Sequence, residues 1–272
     1  VTNVTSKTKK FFSYLILILF SAFSVFPMLY MLIAATNTST DVIRGRMIPG
    51  TYMAANFTKL VTNTRLTRAM GNSFRNAIIL TLLSLAVCSI AGYGFEIYHT
   101  KGKDKLMSVI LLAMMVPFVT TLVPLFELCS KMGLLNTAAG FVLPTISTPF
   151  LIMMFRQSAR SFPHDIIEAA RIDGLNEFQI FVRMFIPTMR STYAAAMTVT
   201  FMNAWNSYLW PKVIMTKQDA QTMPMLIADL ISGYVTDYGE LMLAVLLCTL
   251  PTVIVFFFLQ KYFAEGITGA VK

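Results

Sequence analysis

The stretch PHDIIEAARIDGLNEFQIFVRMFIP, residues 163–187, is the most polar and charge-mixed segment of an otherwise apolar chain. Pro163 opens a helix at little cost, because the N–H it lacks would be unpaired in a first turn anyway. Asp165 and Glu168 follow in the first turns, where the helix dipole favours acid. Glu168 and Arg171 are three residues apart, a spacing that allows them to pair. Gly174 stands where a left-handed cap would end the helix. Asn176, with Gln179 three residues on, has the form of a capping box that starts a second helix. Ile172, Leu175, Phe178, Phe181 and Phe185 supply an apolar side. The stretch therefore predicts helix, sharp glycine turn, helix. Two readings fit such a unit: an amphipathic element lying on a bilayer, or a protruding element whose charged face meets a soluble partner and whose glycine admits close backbone approach.

The flanks decide the fold class. The chain is 56% hydrophobic and 13% charged, against about a quarter charged in soluble domains, so it reads as an integral membrane protein. A helix needs about 20 apolar residues to cross the hydrocarbon. Six segments qualify, roughly 11–35, 75–98, 106–128, 137–157, 190–211 and 240–263. Alternating ten-residue segments of the barrel type are absent, so the expected fold is all-α with six transmembrane helices in a single domain, 1–272. Its core spans would cover about 71–263, its loop 163–187 would lie between spans four and five, and 264–272 would form a tail. The run 11–35 is too long for the apolar region of a signal peptide and is expected to remain as an anchor. Pro27, Pro117, Pro124, Pro144, Pro149 and Pro251 lie within or near the spans and predict kinks.

The net charge of +9 is read as topology and lipid-surface charge, not as nucleic-acid affinity, since no basic stripe is interleaved with aromatics. The short basic loop HTKGKDK, residues 99–105, and the basic N-terminus place both termini and the loop 163–187 on the cytoplasmic side. Cys88, Cys129 and Cys248 are too far apart for a metal site or a disulfide frame and are expected to be plain apolar residues.

The ordered set EAARIDG (168–174) and FIP (185–187) resembles the cytoplasmic loop signature of the permease subunits of type I binding-protein-dependent ABC importers. NSFRNAIIL, AGYGFEIYHTKGKD, FRQSARSFPHDIIEAARIDG, WNSYLWP and FLQKYFAEGITGAVK extend the resemblance from about residue 56 to the end. They are similar to the carbohydrate branch, especially its smaller six-span permease of the maltose type. The resemblance implies a multi-pass inner-membrane subunit of a bacterial or archaeal carbohydrate importer. Its partners would be a second homologous permease, two ATPase subunits that carry the ATP and Mg, and an extracytoplasmic solute-binding protein. It implies that Glu168, Ala169, Ala170, Arg171, Asp173, Gly174, Leu175, Ile186 and Pro187 form a coupling element against the ATPase, with Ala169 and Ala170 packing closely there. The C-terminal residues Gly266, Gly269 and Lys272 would also reach the ATPase. WNSYLWP departs from the family pattern at Ser207, Tyr208 and Lys212.

The chain carries no phosphate-binding loop, zincin motif, dinucleotide fingerprint or nucleophile elbow, so neither ATP binding of that kind nor an enzyme is expected. His99 and His164 are expected to be solvated or locally bonded and not catalytic. An ion-coupled carrier, the rival from another mechanism class, would need ionisable groups inside the bundle; only Glu96 and Glu127 approach that, both near span ends. An importer of the same type for another polar solute, glycerol phosphate or a polyol, is the nearer alternative. In span five, Thr200, Asn203 and Ser207 fall on one side with Asn206 beside them, and Trp205, Tyr208 and Trp210 could stack on a sugar. Interhelical hydrogen bonding and an interfacial aromatic belt would produce the same pattern.

Overall fold

The computed structural model describes the backbone of residues 2–233 and 235–269 and the side chains of residues 9–233 and 235–261. It is all-helical, with no strand among the described residues. In chain order the helices are α1 (Thr2–Ala35), α2 (Ser39–Ile43), α3 (Met53–Asn63), α4 (Leu66–Ile97), α5 (Lys101–Leu112), α6 (Phe118–Lys131), α7 (Ala138–Val142) and α8 (Pro149–Ala159). After these come α9 (His164–Ile172), α10 (Glu177–Ile180), a π-helical turn (Phe181–Phe185), α11 (Ile186–Thr188), α12 (Arg190–Trp205), α13 (Leu209–Ile214), α14 (Met223–Ser232) and α15 (Tyr238–Gly269).

Three segments are long and apolar enough to cross a membrane unbroken: Lys9–Ala35, Leu66–Ile97 and Tyr238–Lys261. Two more expected spans are broken, Lys101–Met115 with Phe118–Lys131 by 97° and Ala138–Thr145 with Pro149–Ala159 by 55°. Proline makes both breaks. Val116, before Pro117, is extended, because a proline ring excludes the residue ahead of it from helical geometry. Thr148 is likewise extended and caps α8, accepting from the Leu151 N–H. The fifth expected span, 190–211, is also not one helix. Its main piece, α12, has 16 residues, about 24 Å at 1.5 Å per residue, short of a hydrocarbon core of about 30 Å. It stops at Asn206 and resumes as α13, with Pro211 inside. The sixth span runs on as helix to Gly269, past the expected end at 263.

The chain divides into two compact units, Val1–Leu66 with Leu226–Leu250 and Thr67–Met225 with Pro251–Lys272. In the first unit, Asn56 is buried and its Nδ2 donates to the carbonyls of Ala35 (3.0 Å) and Asn37 (2.9 Å). Asn37 Nδ2 donates in turn to the carbonyls of Ile33 (2.9 Å) and Ile48 (3.0 Å), so the chain leaving α1 is tied to α3 by side-chain amides. Lys59 pairs with Asp237 at 2.8 Å, and the other Asp237 oxygen accepts the N–H groups of Gly239 and Glu240 at the start of α15. The apolar window of α1 has none of its residues buried within the chain, which leaves that side-chain surface for lipid or a neighbouring subunit.

The second unit is held by a charged crossing. Arg156 of α8 is 4% exposed. Its Nε donates to Glu96 of α4 at 3.1 Å and its Nη2 to Asp104 of α5. Arg160 shares Glu96 at 3.3 Å, and His99 lies 2.8 Å from the second Asp104 oxygen. Beside it, a Cβ on Gly92 would stand 2.6 Å from Phe155 Cβ and 2.7 Å from the Arg156 nitrogen, so α4 and α8 touch backbone to backbone there. The sequence reading did not single out Arg156, the most deeply buried charge among the described residues, and it placed Glu96 near a span end without seeing that it pairs with Arg156 and Arg160. His99 is locally bonded, to Asp104, one of the two outcomes expected for it. Cys88, Cys129 and Cys248 are buried thiols that form no disulfide, as expected.

A buried ion left without its partner costs about 3 kcal/mol or more. Arg156→Leu is therefore expected to lower the thermal unfolding midpoint of the purified chain in detergent by several degrees, while Arg160→Leu, on a half-exposed side chain, shifts it far less. Equal shifts in the two variants would contradict this account of the crossing.

Candidate functional site

The segment 163–187 folds as its local chemistry dictates. Pro163 caps α9 in an extended conformation, and Asp165 sits in the first turn. The helix ends in a Schellman motif: the Leu175 N–H donates to the Ala170 carbonyl (3.0 Å) and the Gly174 N–H to the Arg171 carbonyl (3.1 Å), with Gly174 at φ +80°. Nothing lies within 4 Å of a Cβ placed on Gly174, so the glycine answers to backbone geometry and leaves open space at the tip. The expected capping box is complete, Asn176 Oδ1 accepting from the Gln179 N–H and Gln179 Oε1 from the Asn176 N–H, both at 2.9 Å.

Two details depart from expectation. Arg171 pairs with Glu177 and not with Glu168: its Nε reaches Glu177 Oε1 at 2.8 Å, because the glycine turn folds the first turn of α10 back onto the last turn of α9. Tyr98, just beyond α4, hydrogen-bonds to the same pair. The Arg171 and Tyr98 hydrogen bonds hold the Glu177 carboxyl below its ordinary range.

The apolar residues, moreover, split between two faces. Phe181 and Phe185 turn inward with Ile167, Ala170 and Ile180. Tyr93 of α4 wedges between them, its ring centroid 5.3 Å from Phe181 and 4.9 Å from Phe185, and Phe162 closes the cluster 5.5 Å from Phe185. Leu175 and Ile186 pack partly against it. Ile172 and Phe178, by contrast, are 86% and 71% exposed. They flank the glycine turn, where a helix that ends and restarts loses its 3.6-residue phase.

Glu168, Ala169, Arg171, Asp173 and Gly174 are exposed around the same turn as Ile172 and Phe178, and Pro187, further along, is exposed as well. Ala170 does not join them: at 4% exposure it packs inside this chain and is unavailable to a partner. Gly266 and Gly269 fall on the last helix, and Lys272 lies outside the described residues.

The span-five residues divide as well. Thr200, Asn203 and Ser207 line a cavity of about 230 Å³, together with Ser84 of α4, Thr145, and Thr148 at the head of α8. Phe141, Phe150 and Trp210 give it apolar walls. Trp205 is not among the lining residues. It is 1% exposed, stacked 5.9 Å from Phe201 with Phe74 edge-on at 4.7 Å, so it packs the core and offers no face to a solute. Asn206 caps α12, is exposed and is not among the residues lining the cavity. Trp210 is buried and anchored by its Nε1–H to the Gly140 carbonyl (3.2 Å). Ser84 was not singled out in the sequence, where a hydroxyl within TLLSLAVCSIAG reads as a small residue for helix packing. Among the described residues, no cluster of His, Cys, Asp and Glu could hold a metal ion.

Residues 84–269 match the family described as binding-protein-dependent transport system inner membrane component. The chain is 40% identical over 272 residues to the lactose transport system permease protein LacG of Rhizobium radiobacter, covering 100% of both chains. It is 35% identical to the arabinooligosaccharides transport system permease protein AraQ of Halalkalibacterium halodurans, covering 98% of this chain and 99% of the other. Among solved structures it is similar, at a TM-score of 0.81 and 18% identity, to a chain from a bacterial ABC transporter involved in the import of the acidic polysaccharide alginate, covering 95% of this chain and 98% of that one. At that identity the likeness is one of fold, and the fold is that of an ABC importer permease.

A carboxyl held below its ordinary value contributes stability above its unfolded value, near 4.5, and loses it as pH falls through the depressed one. The amides of residues 171–180 are therefore expected to show pH-independent hydrogen-exchange protection from pH 8 to pH 5, after correction for intrinsic rates, and to lose protection only in stronger acid. Glu177→Gln should remove that acid step; a step that persists in the variant would assign it to another group.

Proposed function

Because this chain belongs to the family of binding-protein-dependent transport system inner membrane components, we propose that it is one of two non-identical permease subunits of an ATP-driven carbohydrate importer. It is a multi-pass membrane transport subunit and not an enzyme. In such a system ATP and Mg belong to separate ATPase chains, and an extracytoplasmic binding protein delivers the solute. The observation that carries the carbohydrate reading is the full-length 40% identity to a lactose permease, supported by an arabinooligosaccharide permease over nearly the same span.

The outward face of 163–187 is the ATPase-coupling element. A polar loop with no partner would not present Ile172 and Phe178 to water at its tip; these two side chains supply the apolar anchors for a cleft, with Glu168, Asp173 and Arg171 as the charged rim. Gly174 leaves the tip free of a side chain, so a partner's backbone can approach. Ala169, exposed and small, lies on the same face, while Ala170, Leu175 and Ile186 hold the loop to its own chain. In this reading the C-terminal residues Gly266, Gly269 and Lys272 are a second contact with the ATPase pair, and both termini are cytoplasmic. Thr200, Asn203 and Ser207 line the solute path; Asn206 and Trp205 do not.

The test is co-purification in mild detergent. The wild-type chain should bring down a second permease and the ATPase, and sugar uptake in proteoliposomes should require ATP. Ile172→Asp and Glu168→Lys should each release the ATPase at least tenfold while membrane insertion and the companion permease are retained. Ala170→Asp, facing the interior, should instead lower the yield of folded chain. A chain recovered alone, or uptake that follows an ion gradient without ATP, would defeat the reading.

A further inference from the structure

We propose that α3 is an in-plane membrane anchor. Its exposed stripe of Met53, Phe57 and Val61 lies in the boundary between lipid headgroups and acyl chains, at the level where α1 and α15 leave the bilayer, the outer side in the orientation proposed above. The anchor goes beyond the importer reading and needs only that the chain spans a membrane. Three observations carry it, all within the compact unit that holds α1, α3 and the start of α15. The first is depth. The apolar run of α1 ends at Ala35 and that of α15 begins at Tyr238. Helix α3 is fastened to both ends. Asn56 donates to the carbonyls of Ala35 and Asn37, and the Tyr52 N–H donates to the Thr36 carbonyl at 2.9 Å. A Cβ on Gly239 would stand 2.8 Å from Asn56 Nδ2, so the first turn of α15 touches the same asparagine. Lys59, one turn on, is held by Asp237 at the head of α15. Both turns are thus kept at the level where two spans give way to water.

The second is a division of the helix surface into three. At 3.6 residues per turn, Asn56 and Leu60 form one line, and both are buried. Met53, Phe57 and Val61 form the next line round and are exposed. Thr58, Thr62 and Lys59 take the remaining side, exposed as well. A helix on a soluble surface needs only a core face and a water face; a further exposed apolar face beside a polar one is what an interfacial helix lays into the acyl boundary. The third is the company the stripe keeps. Ile48, whose carbonyl accepts from Asn37 Nδ2, and Tyr52 are exposed at the same level, and an exposed tyrosine there suits the aromatic belt of a membrane interface. Lys59, the one charged residue of α3, lies across the helix from Phe57. A protein arriving from water would meet the threonine and lysine side first, so lipid is the occupant that depth and chemistry favour for the stripe.

The experiment uses the full chain, with the subunits that purify with it, in phospholipid nanodiscs, spin-labelled at one introduced cysteine at a time. The native cysteines are buried, and the parent preparation supplies the background. Labels on Phe57→Cys and Val61→Cys are expected to collide with oxygen, which concentrates in lipid, about threefold or more as often as with a water-soluble nickel chelate; labels on Thr58→Cys and Thr62→Cys should show the reverse. On the unsubstituted chain, photolysis of a phospholipid carrying a diazirine high in its acyl chain should attach lipid to α3 as well as to α1. Preference for the nickel chelate at all four positions would put the stripe in water. Exclusion of both reagents at Phe57→Cys and Val61→Cys would put it under another protein. Lipid adducts on α1 with none on α3 would place α3 away from the bilayer. Each of these results would overturn the anchor and leave the importer reading intact, because none of them depends on sugar or ATP.

Discussion

A guanidinium can lie inside a helical membrane protein only where acids meet it. In this chain Arg156 draws Glu96 from α4 and Asp104 from α5 onto one point of α8. The cost of moving these charges out of water is recovered only while all three keep their geometry, so the crossing fixes three elements at once. Gly92 lets it close: without a side chain, α4 comes within van der Waals contact of the α8 backbone one turn before Glu96. Local caps finish the job. Lys103 Nζ donates to the carbonyls of Gly94 and Tyr98 at the end of α4, and Thr100 starts α5. The tight, basic connection of residues 99–105 is thus part of the same junction and not simply a topological signal.

On that junction stands the outward loop. Its inner face is aromatic, with Tyr93, Phe162, Phe181 and Phe185 packed edge to face, and its outer face carries Ile172 and Phe178. The two faces are chemically similar and differ only in partner. Inside, the rings have each other; outside, the apolar side chains have none within the chain. The Arg171–Glu177 ion pair ties the two sides of the turn together. The π-helical turn at Phe181–Phe185 allows Phe181 and Phe185 to stack parallel at 5.6 Å while both meet Tyr93.

What could be read in the sequence was what short range determines. The long apolar helices of the first, second and sixth expected spans, the Gly174 cap, the Asn176 box and the proline breaks at Pro117 and Pro149 depend on residues a few positions apart, and they are legible for that reason. Arg156 was not, since nothing next to FRQSAR in sequence shows that Glu96 and Asp104, more than fifty residues away, stand around it. The assignment of Ile172 and Phe178 failed for the complementary reason: helical phase was carried across a glycine that resets it. Trp205 and Ser84 exchanged roles on the same principle. An aromatic beside a polar stripe looks available and a lone serine in an apolar span looks inert, and only the packing around each shows that Trp205 is enclosed by Phe74 and Phe201 and that Ser84 stands in the wall beside a cavity.

Helix α4 is the element that touches both the loop and the cavity. It is a continuous 32-residue helix with no proline inside. Tyr93 on it is wedged into the loop's aromatic cluster, and Ser84 on it lines the cavity nine residues away, about 13 Å along the axis. Close-packed interiors do not deform continuously, so a shift of the loop's aromatic core cannot be absorbed at Tyr93 alone. It must either carry α4 along or break the Arg156 crossing, and the crossing is the costlier of the two to break. The bent elements facing α4, α5 with α6 and α7 with α8, have proline breaks at which they can follow. A stiff helix between two hinged ones is the arrangement by which force applied to an exposed loop would be felt at a cavity inside the span, and in this chain the stiffness, the hinges and the charged pin all follow from where glycine, proline and Arg156 fall in the sequence.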